Sequence, residues 1–191
     1  MANRPSHLGP VGSRHRLGIE RRHRRTHGGA RWRGRPVTVQ LVLPKPIRLR
    51  MMSALARAEQ REIGGVLMAR QIEPGIFEVV DFSIDEVSGE RAHFVRDHTY
   101  HNAFLQAFFE RTGRDYETYN YVGEWHSHPR LPILPSITDL ESMEELVNGE
   151  RDISFAVLLV VRSDSPMEFV ATSTFHQRGS APEPVKIRAE D

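Results

Sequence analysis

Two histidines spaced two apart, His126 and His128, are followed eleven residues later by Asp139. Side chains two apart on a strand leave the same face, so a strand here presents two imidazoles side by side. That pair suits a first-row metal. The stretch reads Gly123-Glu-Trp-His-Ser-His-Pro129, and residues 129–135 hold three prolines. Such a loop gives the chain room to reverse and bring the Asp139 carboxylate to the same point. Two His and one Asp leave a coordination position for water, as catalytic zinc requires, and zinc brings the pKa of that water to about 7. The chain has no Cys, which excludes disulfides, thiolate zinc sites and a cysteine nucleophile.

Each part of this pattern also has a plainer reading. His-x-His alone is a weak motif. Ser136-x-x-Asp139 ahead of an apolar helical pattern reads as a helix start, with Ser136 as N-cap and Asp139 in the first turn, favoured by the helix dipole. The two readings are compatible, because a helix start would fix the carboxylate firmly. The conjunction decides: from this chain's own composition, His-x-His-x7-Ser-x2-Asp arises by chance about once in a thousand such sequences. Glu124, two before His126, shares the ligand face of a regular strand. It is open to three roles: fourth ligand, rival base, or a partner orienting a histidine from behind. Trp125 points the other way, into a core. His93, His98 and His101 form a second cluster with no pattern that completes a site, and they read as surface or partner-facing residues.

The elements that must position these residues follow from periodicity. Strands are expected at 37–43, 62–72, 76–84, 119–128, 153–161 and 167–175, with a short one at 92–95. The Glu73-Pro-Gly75 turn makes a hairpin of the second and third. Helices are expected at 47–60, 100–112 (stopped by Gly113) and 136–148. Ile153 to Val161 is a continuous apolar run, as in a buried central strand. This order implies an α+β domain of three layers, a mixed β-sheet flanked by helices.

The formal net charge of +1 hides an asymmetry. Residues 1–36 carry ten Arg, four His and a single acid, Glu20, while the remainder has 16 basic and 24 acidic residues. Residues 1–36 read as a disordered Arg/His/Gly-rich tail. Its plain reading, a solvated tail or sequence upstream of the true start codon, outweighs that of an arm for nucleic acid or an acidic partner. Residues 37–177 make the domain, and 178–191 read as a polar C-terminal tail. No apolar run spans a bilayer and no signal peptide is visible, so a cytoplasmic protein is expected.

With its Glu, the pattern resembles the JAB/MPN (JAMM) metalloprotease signature, a Glu and then His-x-His-x7-Ser-x2-Asp. The upstream Glu matches Glu62, in Glu62-Ile-Gly-Gly-Val-Leu-Met68. The wording around the histidines is most similar to short bacterial JAB proteins. Those are often encoded beside ubiquitin-activating-like and conjugating-like enzymes, including in anti-phage defence systems. The resemblance implies the MPN/JAB fold, which is cytidine-deaminase-like, and one zinc held by His126, His128 and Asp139. It further implies Glu62 as general base and then acid, and Ser136 as a donor to the developing oxyanion. It prefers Glu62 over Glu124 as base. The implied activity is hydrolysis after the C-terminal Gly of a ubiquitin-like protein, in conjugates or a precursor. Trimming a sulfur-carrier precursor and a catalytically inactive MPN scaffold are the alternatives. Gly64 and Gly65 read either as room for substrate backbone or as a strand bulge, and loops 85–98 and 129–135 as the seat of specificity.

Overall fold

The computed structural model describes residues 39–85, 98–149, 153–165 and 168–191. The expected strand at 92–95, His93 and the Arg-rich residues 1–36 lie outside them. The chain runs β1 (Gln40–Pro44), α1 (Lys45–Ala58), β2 (Gly64–Glu73), β3 (Ile76–Phe82), α2 (His98–Arg111), β4 (Tyr119–Ser127), α3 (Ile137–Gly149), β5 (Phe155–Ser165), β6 (Glu168–Gln177), β7 (Glu183–Pro184) and β8 (Lys186–Glu190). The strands join one mixed sheet in the order β7-β6-β5-β4-β2-β3-β1-β8.

Central β5 explains the layers. Its odd residues Val157, Leu159 and Val161 pack in a core with Ile47, Met51, Ala54, Leu55 and Ala58 of α1. Its even residues Ala156, Leu158 and Val160 pack with Met143, Leu146 and Val147 of α3. Side chains alternate along a strand, so α1 and α3 cover opposite faces, and the continuous apolar run is the signature of a strand buried on both. The parallel pair β4–β5 is joined through α3, which brings the start of α3 to the carboxyl ends of both strands.

A bulge sets which face of β4 meets α3. Tyr121 pairs with Met68 and Gly123 with the adjacent Leu67, leaving Val122 as the extra residue. Val122 therefore joins the α1 core with Trp125, while Glu124 and His126 face α3. Without the bulge, Val122 would share the face of His126. Gly123 makes the bulge possible: its φ is 155°, and a Cβ there would sit 1.9 Å from the Val157 carbonyl oxygen.

The structure corrects three expectations. Residues 178–191 are not simply a tail, since β7 pairs with β6 and β8 runs parallel to β1 over five residues. β8 does alternate, with Ile187 and the preceding Val185 in the α1 core between polar residues, but the pattern is only five residues long, and β7 is two residues. Helix α1 starts at Lys45 rather than Ile47, with Pro46 in the first turn, where the missing N–H costs no hydrogen bond. His101 is buried at 6% exposure and shares a 2.9 Å hydrogen bond with Ser83 Oγ, so it is a core residue and not a surface one. Helix α2 ends as expected at Gly113 (φ 66°), with Arg114 N–H on Phe109 O and Gly113 N–H on Glu110 O, the bonds of a Schellman motif.

Candidate metal centre

His126 lies near the end of β4 and His128 one residue past it, where its N–H donates to Val161 O at 2.9 Å and continues the β4–β5 ladder. Asp139 is in the first turn of α3. Its position is fixed by a reciprocal cap: Asp139 N–H donates to Ser136 Oγ at 3.1 Å, and Ser136 N–H donates to Asp139 Oδ2 at 2.7 Å. This is a capping box with Asp in place of Glu. The same Oδ2 faces the histidines, so the helix cap and the carboxylate's placement are one arrangement.

The three side chains converge. Nε2 of His126 and Nε2 of His128 are 3.0 Å apart, and Asp139 Oδ2 lies 3.5 Å from the first and 3.9 Å from the second. Ligands at about 2.0–2.1 Å from a tetrahedral zinc sit about 3.3 Å from one another, so these separations match one small cation between them. His128 Nδ1 is 2.7 Å from Pro132 O. A carbonyl only accepts, so Nδ1 carries the proton and Nε2 presents its lone pair inward. Burial works to raise the Asp139 carboxyl, but the hydrogen bond and charge of His126 and the hydrogen bonds from Ser136 outweigh it and hold the carboxyl well below the usual range. It is an anion at neutral pH, as a ligand must be. His126, His128 and Asp139 could therefore hold a metal ion, and neither Glu62 nor Glu124 belongs to this ligand group.

Glu62 precedes β2. Ile63 N–H donates to Ser127 Oγ at 3.0 Å, and Ser127 N–H donates to Ile63 O at 2.8 Å. With Gly64 opposite His126, continuing that antiparallel register sets Glu62 opposite His128, on the ligand face and half-buried. Glu124 is buried one row deeper, between Val66 and Leu158. Ser136 is exposed. Its oxygen accepts from the Asp139 N–H.

The remaining named residues are structural. Trp125 is fully buried, donates Nε1–H to Ser83 O at 2.9 Å and meets Phe82 edge-on. A Cβ on Gly65 would lie 2.3 Å from the same carbonyl oxygen, so the missing side chain admits Ser83 rather than substrate. Gly64 is paired with His126 on one side and Asp85 on the other. The pattern gave no sign of Ser127, Pro132 O or the residues that hold the 129–135 loop. Ser127 occupies the variable place of His-x-His, and a carbonyl acceptor leaves no mark in residue identity.

A groove of about 510 Å³ lies between α1 and the end of β5, with Gln60, Ser127, Pro129 and Arg162 among its lining; His126, His128 and Asp139 do not line it. On the loop and the start of α3, Leu131, Leu134 and Ile137 are exposed at 48%, 64% and 76%. No helix among the described residues is long and apolar enough to cross a membrane.

Comparison with known proteins agrees with this fold. The family model described as prokaryotic homologs of the JAB domain matches residues 44–175. A solution structure of a Desulfitobacterium hafniense protein is similar in fold, with a TM-score of 0.58 at 19% identity, covering 80% of this chain and 94% of that one. A crystal structure of a JAB1/MPN domain protein from Archaeoglobus fulgidus is a weaker likeness, with a TM-score of 0.41 at 12% identity, covering 78% of this chain and 98% of that one. No curated protein matches the chain. With the family model covering more than two thirds of its length, the chain belongs to the prokaryotic JAB domain family, an α+β fold of the JAB/MPN type.

Proposed function

We propose that this protein is a zinc-dependent peptidase that hydrolyses the bond after the C-terminal Gly of a ubiquitin-like protein, in conjugates or in a precursor. The observation that carries the reading is the convergence of His126 Nε2, His128 Nε2 and Asp139 Oδ2 at spacings that fit one tetrahedral ion. Zinc bound there supplies Lewis acidity and brings hydrolytic water into its reactive range near neutral pH. Glu62, on the ligand face opposite His128, takes the proton from that water and delivers it to the leaving amine. The Ser136 hydroxyl donates to the carbonyl oxygen as negative charge develops on it. Glu124, one row deeper and enclosed by the sheet, backs the site rather than acting as base.

One surface feature favours a protein substrate. Exposed Leu131, Leu134 and Ile137, on the loop and helix start that border the site, offer a folded partner an apolar rim. Ubiquitin-activating-like and conjugating-like enzymes are the partners such a peptidase would work beside.

The test is direct. Purified protein loaded with zinc is incubated with a ubiquitin-like protein carrying an extension after its terminal Gly. Cleavage after that Gly, abolished by a chelator and restored by zinc, is the expected result. Cleavage that survives chelation, or none by zinc-loaded protein, overturns the proposal.

A further inference from the structure

The loop between His128 and α3 is tied down at three consecutive carbonyls. Leu131 O accepts from Nη1 of Arg162 at 3.0 Å, Pro132 O accepts from Nδ1 of His128 at 2.7 Å, and Ile133 O accepts from Oγ1 of Thr172. The carbonyl that orients a metal-site histidine is thus held by an anchor on each side. The loop has limited means of its own to do this: Pro129, Pro132 and Pro135 carry no N–H, so three of its eight residues cannot donate a backbone hydrogen bond.

Both anchors come from the rigid sheet. Thr172 stands in the cross-strand row Gly64, His126, Val160, Thr172, in register with the ligand His126 across β5. Arg162 follows Val161, whose carbonyl receives the His128 N–H. Its guanidinium is aimed by Asp164, with Nη2 2.9 Å from Oδ2.

We infer that Arg162 and Thr172 are positioning residues of the metal centre: by clamping the loop on both sides of Pro132, they keep its carbonyl on His128 Nδ1 and so keep the imidazole in the tautomer that offers Nε2 to the ion. Loss of the group that hydrogen-bonds a ligating histidine directly, here Pro132 O, typically costs metal affinity about 10- to 100-fold. The inference rests on the metal-centre reading, and its test separates the two.

The experiment uses the full chain with Arg162→Met, Thr172→Val, both together, and Thr172→Ser as the conservative control. The His128 tautomer is read from nitrogen NMR shifts of the metal-free protein at pH 8, and zinc affinity from competition with a chromophoric chelator. The wild type should show His128 protonated at Nδ1 alone. The double variant should show a mixture of tautomers and about 10-fold or greater loss of zinc affinity, and Thr172→Ser should behave as the wild type. General destabilisation does not move a tautomer ratio, which makes that readout specific to positioning. An unchanged tautomer in the double variant, or a Thr172→Ser as impaired as Thr172→Val, overturns the clamp. A wild type that holds the tautomer but binds no zinc overturns the metal reading, while the tautomer comparison still decides the clamp.

Discussion

Four histidines are buried among the described residues, in two kinds of setting. His101 and His176 are 6% and 2% exposed, and His126 and His128 are 8% and 4% exposed. Burial does not separate them; partners do. His101 shares a hydrogen bond with Ser83 Oγ, and His176 Nε2 is 2.9 Å from Thr174 Oγ1. A hydroxyl can donate or accept, so it suits whichever face the ring presents. His126 and His128 instead aim nitrogens at each other across 3.0 Å, beside a carboxylate. Two inward lone pairs at that distance repel unless a proton or a metal lies between them. The difference between a core histidine and a ligand lies in what converges on it.

Substitutions at the four positions should give the largest contrast. His126→Ala or His128→Ala should abolish zinc retention and reduce hydrolysis to background. His101→Gln and His176→Gln should retain one zinc per chain and near-normal turnover, while costing about 1–3 kcal/mol of stability through the disturbed buried hydrogen bond. Elemental analysis, turnover and denaturant unfolding read this together, and equal zinc loss at His101 would erase the distinction.

Next in size is the contrast between the carboxylates. Glu62→Gln should lower turnover by about 10²- to 10⁴-fold, the usual worth of a general base, with zinc still bound. Glu124→Gln should do much less. A fully active Glu62→Gln beside a dead Glu124→Gln reverses the assignment.

Ser136→Ala should have a smaller, two-part effect. Loss of the acceptor for Asp139 N–H should cost about 1 kcal/mol in the metal-free protein, as for other N-caps. Loss of the oxyanion donor should lower kcat by about 10²-fold or more. Thermal melts and initial rates separate the two parts.

The smallest expected effect is the pH dependence of stability from His176. Burial pushes its pKa below the ordinary His value of 6.5. The unfolded chain therefore binds a proton there before the folded one does. The stability linked to His176 is fully present above pH 6.5 and is lost as pH falls from there through the depressed folded value. Melts of metal-free protein from pH 8 to 5 should fall less steeply for His176→Gln than for the wild type, and parallel curves would show that His176 is not the titrating group.

Much of this was legible before the structure. The alternation around His126 and His128, the Ser136–Asp139 helix start and the two-faced apolar run of β5 are local patterns, written in adjacent residues. What stayed hidden depends on contacts between residues far apart in the chain. The role of Gly123 is set by the Val157 carbonyl across the sheet, and that of Gly65 by Ser83. Ser127, Arg162 and Thr172 act through backbone carbonyls or amides, which any sequence supplies. The β7 and β8 edge strands are short, and His101 looked exposed because its hydroxyl partner lies 18 residues away.

X-ray absorption at the zinc edge of the purified protein addresses the central claim most directly. One zinc per chain, with two imidazole nitrogens and the rest oxygen in its first coordination sphere, is the predicted result, and the signal should disappear in His126→Ala. A zinc environment without histidine, or one unchanged in His126→Ala, would contradict the assignment of His126, His128 and Asp139 as the metal centre.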